Sequence, residues 1–280
     1  MNMSDELDDL GIIVNSCDSY SDAWEPFFKL FSIYWPDCKC PLYLNSEFKD
    51  YSWPGLDVRV IKTGGNGTEP IPSWSDRLLQ VLRTIDKPYV LYLQEDYFLN
   101  APVRVDVIRE FLRIMKAENY STINLMEVGG NRGITPSEKY PMLCKVPQNG
   151  NYRINTQSGI WKRERLMAYL KAGESVWDFE RKGTLRAQNT EDSFYCQNPQ
   201  MFNKDGSYIY PYVRTGIVRA KWFAPAVVDL FNQHNIKVDF TKRGFYAPGF
   251  FGRKKQSVRS MVRRQLMESP ILRTIFRDSV

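Results

Sequence analysis

The chain is almost without histidine: His234 is the only one among 280 residues. A Ser-His-Asp triad therefore has a single position for its base, and no nucleophile-elbow sequence accompanies it. Zinc spacing is missing too. The five cysteines (Cys17, Cys38, Cys40, Cys144, Cys196) form no CxxC pair, and Cys38-x-Cys40 alone is poor zinc spacing. They read as free thiols in a reducing compartment. Gly64-Gly65-Asn66-Gly67 lacks the Gly-Lys-Ser/Thr ending of a phosphate-binding loop, which removes the kinase and ATPase readings. No run approaches the roughly 18 apolar residues of a membrane span. The opening MNMSDELDDL is acidic, whereas an export signal is basic and then apolar. The expectation is a cytoplasmic protein, in which the sequons at Asn66 and Asn119 mean little.

Charge is scarce in one place and concentrated in another. The net charge is +6. Residues 253–280 hold eight basic residues against two acids, which is the whole excess; the preceding 252 residues balance. Broad nucleic-acid binding needs a basic face, and the neutral body excludes it.

What the chain does have is apolar and aromatic residues, 43% and 14% of the total. Short buried-type runs read as strands: Gly11 to Asn15, Pro41 to Leu44, Val58 to Ile61, Tyr89 to Leu93 and Ser121 to Val128. Helical spacing falls at Asp22 to Trp35, Ser75 to Thr84 (N-cap Ser73 or Ser75) and Val105 to Glu118. This alternation predicts an α/β fold, a mostly parallel sheet with helices on both faces. Beyond residue 128 the texture changes. Strand character is expected at Asn151 to Trp161, Tyr208 to Val213 and Gly216 to Arg219. Helices are expected at Glu164 to Lys171, Glu174 to Arg181 and Ala224 to Gln233, and another is expected to start at Glu191-Asp192.

Two polar clusters sit at predicted strand ends. One is Asn15-Ser16-Cys17-Asp18-Ser19-Tyr20; the other is Gln94-Glu95-Asp96, inside the run PYVLYLQEDYFLN. Open α/β sheets bind ligands outside the carboxyl ends of their strands. A carboxylate at the end of a buried strand is costly unless it is paired, protonated or bound to a metal. Pairing of Glu95 and Asp96 with Arg77 or Arg104 is the plainer alternative, as a helix N-cap is for Asp18.

Four stretches, IIVNSCDSYSDAW, SWSDRLLQVL with PYVLYLQEDYF, INTQSGIWKRERLMAYL and ESVWDFERKG, resemble in their order a nucleotide-sugar glycosyltransferase of the GT-A fold. Those building bacterial surface polysaccharides are the most similar. The resemblance spans about residues 11–225. It implies a Rossmann-like sheet, with a donor half at about 1–128 and an α+β acceptor half at about 129–252 in one catalytic domain. It also implies transfer of a hexose from a nucleotide sugar, UDP by family habit, to a glycan. On the donor side it implies contacts from Ser16, Asp18, Asp76, Arg77, Glu95 and Asp96. Asp96 is the implied ligand of a divalent metal (manganese or magnesium), although Gln94-Glu95-Asp96-Tyr97 replaces the family's Asp-x-Asp. On the acceptor side an inverting transfer needs a carboxylate base, and Asp178 and Glu180 both qualify. Trp177 and Glu180 share a helix face at their spacing, which favours Glu180; Glu191-Asp192 is a further acid pair. His234 reads as a plain polar helix end. Alternatives are a sugar nucleotidyltransferase and a non-catalytic carbohydrate-binding protein.

Residues 253–280 read as a basic amphipathic tail. Val258, Met261, Val262 and Leu266 line one helix face and Arg259, Arg263 and Arg264 lie off it. Such a helix suits an anionic membrane surface. This predicts a peripheral enzyme on the inner face of the plasma membrane beside a lipid-linked acceptor; docking of the tail on the body is the alternative.

Overall fold

The computed structural model describes residues 6–128, 133–202 and 208–247; the basic tail at 253–280 lies outside the described residues. Eleven strands are assigned: β1 (Leu10–Asn15), β2 (Leu42–Ser46), β3 (Val58–Lys62), β4 (Tyr89–Gln94), β5 (Thr122–Asn124), β6 (Thr135–Pro136), β7 (Leu143–Lys145), β8 (Gly159–Lys162), β9 (Phe194–Gln197), β10 (Ile217–Val218) and β11 (Lys221–Trp222). The helices are α1 (Trp24–Tyr34), α2 (Trp74–Thr84), α3 (Val105–Glu118), α4 (Arg163–Tyr169), α5 (Val176–Gln188), α6 (Pro199–Phe202) and α7 (Ala224–Gln233).

Nine strands form one sheet in the order β3-β2-β1-β4-β8-β5-β9-β7-β6. β3, β2, β1 and β4 run parallel, and β8 enters antiparallel between β4 and β5. β1 and β4 are apolar on both faces because both faces are covered: Ile12 and Ile13 point to opposite sides and each is fully buried. One face packs against α2, α4 and α5 through Leu78, Leu82, Leu166 and Phe179. The chain leaves β1 for β2 on one side, and β4 pairs on the other. That reversal is a topological switch point, with the β1 and β4 carboxyl ends beside each other.

The expected limits of α3 and α7 coincide with those observed. α2 begins one residue early because Ser73 caps it, its hydroxyl accepting from the Asp76 amide. The second half departs further from the pattern. Of Asn151 to Trp161 only β8 is strand. Residues 152–157 turn instead: Tyr152 adopts φ 55°, the Asn155 side chain donates to the Tyr152 carbonyl, and it accepts from the Gln157 amide. Tyr208 to Val213 makes no ladder of its own. Asn100 and Arg104 donate their amides to Pro211 and Ile209, and Val213 donates to Phe98. Glu191-Asp192 starts no helix; it leads into β9, and the Asp192 carbonyl accepts from Arg153.

The chain divides into two compact units, Met1–Gly216 with Pro225–Asp239, and Ile217–Ala224 with Phe240–Val280. The larger holds the nine-stranded sheet. In the smaller, the β10–β11 hairpin is joined by Trp222 donating its amide to the Gly244 carbonyl. The Trp222 and Phe240 rings meet edge-on at 5.9 Å.

Candidate active site

The carboxyl ends of the parallel strands carry a row of buried polar side chains on the α2 side of the sheet. Thr63 Oγ1 donates to Asn45 Oδ1 at 2.8 Å, Asn45 Nδ2 donates to Asn15 Oδ1 at 2.7 Å, and Asn15 Nδ2 donates to Tyr92 Oη at 3.2 Å. One directed chain of hydrogen bonds thus ties β3, β2, β1 and β4 together where their ladders end. Buried amides are tolerable only when paired in this way.

Just beyond that row, Arg77 of α2 reaches over β1. Its Nη1 donates to the Ser16 carbonyl at 3.1 Å and lies 3.3 Å from Glu47 Oε1. Arg77 and Glu95 are buried, and Asp96 is half-buried. Burial pushes the Cys17 thiol up, a hydrogen bond with Ser19 opposes this, and Glu95, Arg77 and Glu47 all act on it electrostatically. The ends of β1, β2 and β4 and the start of α2 therefore converge around Cys17. Glu47 was not anticipated from the sequence, although it follows the apolar run of β2 much as Glu95 follows β4.

Asp18 and Asp76 serve the loops around this centre. The Asp18 carboxylate accepts from Ser46 Oγ and from the amides of Glu47 and Phe48, at 2.8 to 3.1 Å. Partial burial pushes its carboxyl up, but these hydrogen bonds prevail and hold it below the usual carboxylate range. Asp76 Oδ2 accepts from Ser73 Oγ and from the Gly173 amide. Glu174 closes the same junction, exchanging backbone and hydroxyl hydrogen bonds with Ser75 and taking a bidentate pair from Arg186 at 2.7 and 2.8 Å.

The two acids of α5 separate clearly. Asp178 stands three residues after the N-cap Ser175 and is held by the cap: Ser175 Oγ accepts the Asp178 amide and donates to its carboxylate. Hydrogen bonds from Ser175 and Lys182 keep its carboxyl at about 2. Glu180, one turn into the helix, turns inward. Its Oε1 accepts from both the amide and the hydroxyl of Thr156, each at 2.8 Å. Thr156 is fixed in turn by Tyr97, whose phenol donates to the Thr156 carbonyl at 2.6 Å. Tyr97 directly follows Asp96, and its ring stacks on Tyr212 at 4.3 Å. Burial drives the Tyr97 phenol well above its usual range, reinforced by Tyr212, Tyr92, Asp96 and Glu180. A three-residue relay thus connects the acidic end of β4 to the carboxylate of α5. Thr156 and Gln157 lie in the quoted INTQSGIW run, but no spacing rule pointed to them.

Glu180 borders a cavity of about 570 Å³ whose walls include Glu127, Asn155, Gln157 and Arg214. Arg214 pairs with Glu127 across that wall at 2.9 Å. Asp192 is engaged elsewhere, by the Tyr169 hydroxyl and Arg165. His234 Nε2 makes a 2.8 Å hydrogen bond with the Tyr34 hydroxyl. All five cysteines are free thiols. Among the described residues no three His, Cys, Asp or Glu side chains are grouped to hold a metal ion, and no helix is long and apolar enough to cross a membrane.

No protein-family model matches the chain, and no curated protein matches it. Its fold does match solved structures. One is a 1–349 fragment of S. aureus TarS, at 11% identity and a TM-score of 0.44, covering 69% of this chain and 61% of that one; the chain thus spans about three fifths of that fragment. Another is the mannosyltransferase PcManGT from Pyrobaculum calidifontis, solved with GDP-Man and Mn2+, at 11% identity and a TM-score of 0.36, covering 55% and 44%. A third is a cytidylyltransferase from Leptospira borgpetersenii, at 11% identity and a TM-score of 0.42, covering 74% and 82%. One of these is a mannosyltransferase and another a cytidylyltransferase, and the likeness is one of α/β fold alone.

Proposed function

We propose that the chain is a glycosyltransferase that moves a hexose from a nucleotide sugar to a glycan acceptor. The observation that carries this reading is the hydrogen-bonded series Tyr97–Thr156–Glu180, which starts one residue after Asp96. It couples an acid at the switch-point end of β4, where an α/β sheet takes a nucleotide, to a second carboxylate at the rim of a cavity. One acid on the donor side and one on the acceptor side suit an in-line displacement at a sugar carbon. Glu180 takes the proton from the attacking acceptor hydroxyl. The paired hydrogen bonds of Thr156 to Oε1 orient the carboxylate, and among the described residues no hydrogen bond reaches Oε2, the oxygen we assign to the proton. The reading is of an inverting transfer.

Asp96, half-buried beside the buried Glu95, suits a single protein ligand to a divalent cation. Magnesium-type sites draw most of their oxygens from substrate phosphates and water and need only one or two carboxylates. When bound, the cation would neutralise charge developing on the departing nucleoside diphosphate. Arg77 positions the Ser16 backbone at the same edge. The basic segment 253–280 would bring the enzyme to an anionic membrane and a lipid-linked acceptor. Deleting 254–280 should reduce sedimentation with anionic liposomes at low salt and leave nucleotide-sugar binding intact; unchanged sedimentation would remove the membrane role.

The test is a panel of nucleotide sugars with manganese and oligosaccharide acceptors. Glycosyl transfer releases a nucleoside diphosphate. Nucleotidyl transfer, assayed with nucleoside triphosphate and a free sugar acid, releases pyrophosphate instead. Release of pyrophosphate alone would overturn the reading.

A further inference from the structure

Glu180 borders a second cavity, of about 420 Å³, along the outer face of α5. The two cavities share Asn151, Tyr152 and Glu180 in their walls, so they adjoin there. Each volume lies in the range of about 300–1,000 Å³ that takes small ligands. Their linings differ. The first is the more polar, with Asn155, Gln157 and the Glu127–Arg214 pair. The second holds Trp177, Tyr152 and Leu185, which are 75%, 58% and 57% exposed. These are three of the eight exposed large apolar side chains among the described residues, gathered in one cavity. Tyr152 is also kept at φ 55°, a backbone state uncommon for a bulky residue and concentrated at functional sites.

We propose that the acceptor is an oligosaccharide of at least two sugar residues. Its terminal sugar lies in the polar cavity and the preceding one on the Trp177–Tyr152 platform, with Glu180 at the junction. This rests on the transferase reading above and names its acceptor class. A sugar ring offers an apolar C–H face and a rim of hydroxyls. The second cavity offers aromatic faces with the Asn151 amide and Arg181 guanidinium at their edge. An acyl chain would make no use of those polar groups, and an acidic ligand would find Glu180 in the wall.

The experiment places the labelled full-length chain on a printed array of mono- to tetrasaccharides of hexoses and N-acetylhexosamines. The same acceptors are then offered with a nucleotide sugar. Tri- and tetrasaccharides should bind above monosaccharides. Trp177→Ala should weaken that binding roughly tenfold, the scale of one lost stacking contact, and Trp177→Phe should restore most of it. Trp177→Ala should also raise KM for an oligosaccharide acceptor while leaving KM for the nucleotide sugar unchanged. No glycan bound, or equal binding by Trp177→Ala, would overturn the proposal. Transfer to a monosaccharide as efficient as to its oligomers would overturn it too, and leave the transferase reading standing. Trp177-dependent glycan binding with no nucleotide sugar consumed would instead remove the transfer chemistry and keep the glycan platform.

Discussion

At the carboxyl ends of β1, β2 and β4 the polar side chains hold one another: Thr63, Asn45, Asn15 and Tyr92 in one row, Asp18 against the 46–49 loop, Arg77 against Ser16 and Glu47. Along α5 and the 151–157 turn, large apolar rings stand in solvent and two cavities open beside a single anchored carboxylate. The contrast indicates a division of labour. On the proposed reading the donor edge is held by hydrogen bonds before any ligand arrives, so little ordering would remain to be done when a nucleotide binds. The acceptor edge offers shape and surface, which suits a partner whose hydroxyls and ring faces vary along its length.

Breaking the donor edge at its chemistry should have the largest effect. Asp96→Asn should lower transfer by about 10³-fold, the upper scale for removing one group that stabilises developing charge, with an unchanged thermal melt. Nucleoside diphosphate release checks the rate and circular dichroism checks the fold. A variant that folds and retains wild-type turnover would detach β4 from the reaction.

Breaking its rigidity should act on stability. Asn45→Leu strands the Thr63 and Asn15 partners of a buried row and should cost about 2–3 kcal/mol, the desolvation of groups left unpaired. Asp96, beyond the row, should keep its role, so turnover measured below the melting temperature should change far less than stability. Urea unfolding against turnover separates the two, and a parallel loss of both would show that the row itself shapes the site.

The smallest effect is on pH dependence. The Asp18 carboxyl titrates below its unfolded value because hydrogen bonds favour its charged form. Its stabilisation is therefore present above the unfolded value of about 4 and is lost as pH falls through the lower folded value. Unfolding midpoints should fall as pH drops below about 4, and Asp18→Asn should flatten that decline. A decline as steep in the variant would show that Asp18 contributes nothing to it.

The same two regions differ in how legible they are from sequence. β1 and β4 are readable because parallel strands buried on both faces appear as unbroken apolar runs, and α3 because its apolar stripe is complete. The polar row is invisible: Asn15 and Tyr92 are 77 positions apart, and nothing local marks either as a partner of the other. The placement of β8 between β4 and β5 is a matter of non-local pairing, which local periodicity does not encode. In the acceptor half, side chains override pattern. Asn155 and Gln157 turn a segment that reads as strand, and the Tyr208 to Val213 run lends its backbone to residues 98–104. The sequence favours Glu180 over Asp178 only through the helix face it shares with Trp177; one cap hydroxyl and one distant threonine separate them.

That distinction provides the most direct test. Turnover of a nucleotide sugar and a glycan acceptor should be measured for Glu180→Gln and Asp178→Asn, with donor affinity from calorimetry on the same preparations. Glu180→Gln should lose about 10²–10⁴-fold in kcat, the scale of an absent general base, with donor Kd unchanged. Asp178→Asn should stay within about threefold of the wild type, because its carboxylate is committed to the helix cap and to Arg181 and Lys182. Near wild-type turnover by Glu180→Gln, or a collapse confined to Asp178→Asn, would contradict the account.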